Sequence, residues 1–434
     1  MRKLLVVILS LAIASVASAA GGRAEQMREP DRRVMKMSVH LGGFGQDSWL
    51  EVVELFEAAN PGVTVEIEIS PTNFEQLRLQ YLSGRDLPDF HFAPTWALDY
   101  QALMDEGLLY SLEEVLRKPS PYGQGTLEDL ILPSVLANMR QADGNLYLMP
   151  FSLGSNGLWY DETLFLERGW AVPRTFEEFL AFGQTARAAG IAPFTFPAAN
   201  DYLGFILYPT IASIAGSSEP IERINNLEPG AFKQPAVIEM LRRVEILRDR
   251  NMIQRGALGF NNIEAQTEFA LRRAATVVSG DWVWAEMRHV WPDDFELRFM
   301  GNPLVRAGET RFSWMHLIHA AVPKNASNPD LGAEFARFMF TEEAMRVWAR
   351  NLGVVRPIRG VENFTDYLFD AKRDAIGYLT DSDNNPIYVA FPYAHRELGT
   401  MFKDKFNELI EGISTIDQIT DAMEAAARRV RENR

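Results

Sequence analysis

Apolar and polar residues alternate with period two over residues 34–41 (VMKMSVHL) and 63–69 (VTVEIEI), and both runs predict strands. Between them Val52, Val53 and Phe56 follow Trp49 at helical spacing, and the helix stops at Asn60-Pro61-Gly62. A second helix is expected over 74–82, ended by Ser83-Gly84, then a short buried-type strand over 89–93. A third helix, from about 98 to 106, stops at Gly107. This β-α-β-α-β-α order predicts a parallel sheet covered by helices. Ligands of such sheets bind beyond the carboxyl ends of the strands. The loops at 43–48 and 94–96 lie there and bring forward Phe44, Gln46, Asp47, Thr95 and Trp96.

The next patterned stretch is 143–161, DGNLYLMPFSLGSNGLWYD. Asp143-Gly144 is a turn pair, and the apolar run that follows is broken by Pro150. A small polar piece containing Ser152 and Asn156 leads to a second apolar run ending at Asp161. Read alone, this is a hairpin with a six-residue loop, although the Pro and small residues also fit a chain crossing between two bodies. Beyond it the pattern is again α/β. A helix is expected over 175–189, with Thr175 as N-cap and Glu178 at the capping-box position. Residues 193–197, 275–279, 296–304 and 318–322 read as strands, and 203–214, 235–250, 264–271, 329–340, 342–351 and 416 onward as helices. In the last, Glu424, Arg428, Arg429 and Arg431 are expected to form a solvated charged face.

Composition bounds the function. With 434 residues and 47% apolar content, the chain can build two sizeable cores. Arg2 and Lys3, the apolar residues 4–16 and Ala17-Ser18-Ala19 predict an export signal over 1–19, cleaved after Ala19 or Ala20. That apolar run is too short to span a membrane. Residues 20–33 are expected to be a polar, flexible lead-in. There is no cysteine, hence no disulfide, thiolate metal site, Cys nucleophile or lipoprotein anchor, so a periplasmic, unlipidated protein is expected. A net charge of −15 argues against nucleic acid and anionic membrane as partners.

Six pieces in chain order carry a family resemblance. FEAANPGVTV (56–65) resembles "FExxNPxVxV", SGRDLPD (83–89) "GxxPD", and GLLYSL (107–112) "GxLxxL" of the bacterial extracellular solute-binding proteins of sugar-binding type. Residues 143–161 resemble their "DGKxYGxPF…xYYN", with Asp161 where Asn is commoner. PRTFEEF (173–179) resembles "PxTWxE", with Phe for Trp, and FALRRAATVVSGDW (269–282) resembles "FxxGxAAMxxxGxW", with Arg272 for Gly. The resemblance implies a maltose-binding-protein-like α/β fold of two lobes with the ligand cleft between them. Each lobe would be a mainly parallel sheet flanked by helices, one formed by 34–147 and 315–358, the other by 148–314 and 359–434. It implies a monomeric periplasmic receptor that binds a carbohydrate and delivers it to the transmembrane subunits of an ABC permease, without catalysis or cofactor. Residues 143–161 then hold the first crossover, and 353–358 lie near the third.

Candidate chemistry follows the same lines. No zinc spacing joins the six histidines, and no Gly-x-Ser-x-Gly or Walker loop is present. Gly42-Gly43-Phe44-Gly45 follows a strand but lacks the third glycine of a dinucleotide cradle. A pyranose needs a flat aromatic for its C–H face and Asp, Asn or Gln for its hydroxyls. Gly280-Asp281-Trp282 supplies both at a strand end, and the family places a stacking Trp after that glycine, so Trp282 leads and Trp284 is assigned to core or rim. Asn200, Asp201 and Tyr202 are candidate contacts or a helix N-cap, and Trp314 and His316 contact ligand or pack under the hinge. Tyr393 is a late stacking candidate. An exported glycan hydrolase, or the same fold with a non-sugar solute, remains the alternative, since acidic residues are plentiful.

Overall fold

The computed structural model describes residues 33–433 except 43, 95 and 96. The export signal, residues 20–32 of the lead-in, Thr95 and Trp96 therefore lie outside the described residues, while Arg33 already opens the first strand. Among the described residues there are eight strands: β1 (Arg33–His40), β2 (Val63–Ser70), β3 (Phe90–Phe92), β4 (Leu148–Asp161), β5 (Thr276–Gly280), β6 (Leu297–Gly301), β7 (Arg311–Ala321) and β8 (Asn384–Ile387). β2-β1-β3 run parallel, as the alternating pattern predicts, with Trp49, Val52, Val53 and Phe56 of the helix Asp47–Ala59 buried.

The stretch read alone as a hairpin is one continuous strand. β4 is 14 residues long and buried throughout. Its first half, Leu148 to Ser155, pairs antiparallel with β7, with a register shift between Pro150 and Ser152. Its second half pairs antiparallel with β5 and β6. β7 is shared in the same way: its end approaches β3, and its start, Arg311 to Trp314, pairs parallel with β8. Small residues in β4 do not turn the chain, because each half has partners on a different body.

The cores follow this division. One cluster takes β1 and β3 side chains with Leu153, Met315 and Leu317. A second takes Leu158, Trp314 and the helical segments Gly204–Ala215 and Pro235–Asp249. A third, with Trp159, Val277 and Phe299, covers the other face of the β5-β4-β6 sheet. The change of core thus falls between Leu153 and Leu158 on β4 and between Trp314 and Met315 on β7. Val361, Phe364 and Leu368 still pack with the first cluster, whereas Ile387, Val389 and the C-terminal Ile419 and Met423 pack with the second. We propose these points as the lobe boundaries, with the last crossing within residues 368–387.

Two local expectations are corrected. Thr175 caps the helix Phe176–Ala188 through the Glu178 amide, but the Glu178 carboxylate reaches the amide of Arg174 (2.7 Å), not that of the cap. The charged face of the helix Ile416–Glu432 is partly used: Glu424 accepts from the amides of Gly230 (3.0 Å) and Phe232 (2.7 Å), and Arg431 donates to the Leu227 carbonyl.

The crossing strand yields a test. A Cβ on Gly157 would lie 2.8 Å from the Gly301 carbonyl oxygen and 3.0 Å from the Phe299 ring, whereas one on Gly154 finds its nearest atoms at 3.4 Å. Gly157→Ala is expected to lower unfolding free energy by about 1–3 kcal/mol through overpacking. Gly154→Ala should fall well short of that, both read by urea denaturation.

Candidate ligand-binding cleft

A cleft of about 380 Å³ opens where the two cores meet. His40 at the end of β1, Phe44, Phe92 and the segment Leu352 to Val354 line one side. Ser152 on β4 and His316 and Ile318 on β7 line the crossing strands. Asn200, Tyr202, Phe205, Asn262, Asp281, Trp282, Glu286, Lys372 and Tyr393 line the other side. The parallel strands β1 and β3 deliver their carboxyl ends here, which is where the sheet geometry predicts a ligand.

Trp282 is the first residue of the helix Trp282–Met287. Its indole meets Tyr202 (5.5 Å between centroids), Phe205 (5.9 Å) and His316 (5.5 Å), each edge-on. Such contacts fix the plane of a ring. Gly280 does not have to turn the backbone, because its φ is not in the left-handed region. It is a seat: a Cβ there would lie 2.1 Å from the indole.

Beside the indole, Asp281 and Lys372 form an ion pair, and the Lys372 ammonium also donates to the Leu153 carbonyl on β4 (3.3 Å). The Lys372 side chain is 2% exposed and that of Asp281 16%. The Glu286 carboxylate accepts from Asn262 Nδ2 (2.9 Å) and Gln266 Nε2 (2.8 Å), and burial raises its pKa. His316 is pushed down to about 4 by burial, a shift that the Asp281 charge opposes and the Lys372 charge reinforces. Burial likewise pushes His91 and His319 down to about 3. Asp201, behind Tyr208 (3.5 Å between its Oδ2 and the hydroxyl), is pushed up to about 8 by burial. Among the described residues no His, Cys, Asp and Glu side chains gather in threes to hold a metal ion.

Of the residues singled out from the sequence, Phe44, Ser152, Asn200, Tyr202, Trp282, His316 and Tyr393 line the cleft together. Others do not. Gln46 and Asp47 are exposed at the start of the helix Asp47–Ala59, so they end that helix instead of facing the cleft. Asn156 is 4% exposed inside β4, and Asp201 sits behind Tyr208. Trp314 packs on Phe205 (5.2 Å) and Tyr208 (5.5 Å) in the second core. Neither Asn200 nor Asp201 is an N-cap, since Leu203 precedes the helix Gly204–Ala215 without a side-chain bond. Sequence reasoning missed Asn262, Glu286 and Lys372 as wall residues. Asp281 carried a signal, its place between Gly280 and Trp282 at a strand end; Lys372 carried none, being 91 residues from its partner.

The family model described as bacterial extracellular solute-binding protein matches residues 45–346. The diacetylchitobiose binding protein NgcE of Streptomyces coelicolor is 26% identical over 410 residues, 92% of this chain and 85% of that one. The multiple sugar-binding protein of Streptococcus mutans is 22% identical over 315 residues, 72% of each. Among solved structures, that of the bacterial solute receptor AcbH superposes with a TM-score of 0.76 at 16% identity, over 92% of this chain and 99% of that one, a likeness of fold.

Two outcomes follow from the charged groups. Lys372→Met leaves the Asp281 carboxylate buried without its cation and is expected to cost about 3–5 kcal/mol. The double variant with Asp281→Leu should recover most of this in a denaturation cycle. The three buried imidazoles stay neutral in the folded chain but take up protons near pH 6.5 when unfolded. Their contribution to stability is therefore full above about pH 6.5 and is lost as pH drops from there toward about 4. His319→Gln should flatten that slope by about one proton, roughly 1.4 kcal/mol per pH unit, in melts taken across this range.

Proposed function

This chain belongs to the bacterial extracellular solute-binding proteins, and on that premise we propose that it is the receptor of an ABC importer, binding a sugar or short oligosaccharide in the cleft and handing it to the permease. The observation that carries this is the Trp282 indole, held edge-on by three neighbouring rings in the wall of a cleft between two cores. A flat ring beside amides, a carboxylate and hydroxyls suits the C–H face and hydroxyl rim of a pyranose. The name of the 26% identical relative makes diacetylchitobiose the first ligand to try. A ligand that touches both sides would stabilise the closed state, so closure about the crossing strands is the working motion.

A glycan hydrolase would need two carboxyl groups flanking the bond from opposite sides. The two acids in the described wall, Asp281 and Glu286, lie five residues apart on one side, the first paired with Lys372 and the second held by two amides. That favours binding without turnover. The same proposal takes the protein as periplasmic, unlipidated and monomeric, without nucleic-acid or metal partners. Its support is the basic and apolar start with Ala17-Ser18-Ala19, the absence of cysteine and the net charge of −15.

Calorimetric titration with diacetylchitobiose and a panel of neutral oligosaccharides tests this, alongside Trp282→Ala. Stacking would bury on the order of 100 Å² of apolar surface, about 2 kcal/mol, so affinity should fall by roughly 30-fold. The apo protein should melt nearly as before. Unchanged affinity with a large loss of apo stability would assign Trp282 to the core and overturn its role here, and a panel without any binder would overturn the sugar reading itself.

A further inference from the structure

The cleft wall carries one amine and two carboxyl groups, and only one of the two acids has the amine as its partner. Lys372 and Asp281 are paired, and the lysine side chain is 2% exposed, so its charge is committed and cannot swing toward a ligand. The imidazole of His316 is neutral at pH 7, its proton affinity lowered by burial. Glu286 is left. No cation among the described residues acts on it; its partners are the amides of Asn262 and Gln266.

The carboxylate is also oriented. Both amide bonds fall on Oε2, and Gln266, itself 1% exposed, is in turn fixed to Asn262 Oδ1 at 2.7 Å. Oε1 accepts no hydrogen bond from the described residues. An ionised carboxylate only accepts, and it accepts best from hydroxyl or ammonium donors. A ligand carboxylate or phosphate would enter a partly desolvated site, meet the Glu286 carboxylate and find no free cation among the described residues, which is how a site rejects the wrong ligand.

We infer that Glu286 sets the charge class of the ligand: the cleft takes neutral or amine-bearing saccharides and excludes uronic acids and sugar phosphates. This rests on the sugar-binding reading above and adds a selection that fold and family do not contain. The interaction is a difference between ligands of nearly equal shape, so it shows as a ratio of affinities.

Four disaccharides test it by calorimetric titration at low salt: cellobiose, diacetylchitobiose, chitobiose with its two free amines, and cellobiouronate, in which a carboxylate replaces one hydroxymethyl group. The expected result is that cellobiouronate binds at least about ten-fold more weakly than the tighter neutral sugar. Chitobiose should bind at least as well relative to diacetylchitobiose as it does to a variant lacking the charge. That variant is Glu286→Gln, which keeps the shape and amide contacts; it should narrow the neutral-to-acidic ratio by about ten-fold while apo melting stays close to wild type. Cellobiouronate binding within a few-fold of the neutral sugar, or an unchanged ratio in Glu286→Gln, overturns the inference and leaves the sugar reading standing. If none of the four binds, the inference falls, and the sugar reading falls with it only if the wider panel of neutral oligosaccharides also lacks a binder.

Discussion

The structure depends on one antiparallel pairing, β4 against β7. Both strands carry backbone hydrogen bonds in two bodies, and along each the core beneath changes within a few residues. A buried strand must have its amides and carbonyls paired, so the crossing cannot be a loose linker and still lie inside the molecule. The ladder satisfies that demand while the side chains divide between two cores. Segment 354–356 braces it from outside. Leu153 donates to the Val355 carbonyl (3.0 Å), and Arg356 donates to the Phe151 carbonyl (2.6 Å) while lying 4.1 Å over its ring. Burial pushes that guanidinium down to about 9, and its support is carbonyl oxygens and aromatic faces.

The cleft inherits its chemistry from this arrangement. Because β4 and β7 run through its floor, Ser152, His316 and Ile318 reach it from strands, which place side chains more firmly than loops do. The wall residues Asp281, Trp282 and Glu286 come from one strand end and the six-residue helix after it. Lys372 ties that helix start to the crossing itself, through Asp281 and the Leu153 carbonyl. Ligand wall and crossing are thus joined by a buried charge pair rather than by packing alone. The neutral imidazoles nearby follow from the same burial, since a charged ring there would lose its water, a loss that for His316 outweighs the pull of the Asp281 charge.

How much was legible in the residues divides along a physical line. Period-two alternation in 34–41 and 63–69, the helical spacing from Trp49 and the stop at Asn60-Pro61-Gly62 are local signals, and the elements form where those signals fall. Trp282 after Gly280 was also legible, and the structure adds the physical reason: the glycine leaves room for the indole. The order of six short motifs carried the family, which no single piece could.

Tertiary structure decided what depends on partners distant in the chain. Whether 143–161 is a hairpin or a crossing strand is not written in its own pattern, because Pro150 and the small residues suit both, and only β7 on one half and β5 and β6 on the other settle it. The same holds for Trp314, buried by Phe205 and Tyr208, and for Gln46 and Asp47, turned to solvent at a helix start. Glu286 and Lys372 sit in segments whose patterns announce nothing, and they matter because folding sets one beside two amides and the other beside Asp281. Hydrophobic periodicity is a property of neighbours along the chain and so survives in the sequence. Charge compensation is a property of neighbours in space, and it exists only once the two cores have been built.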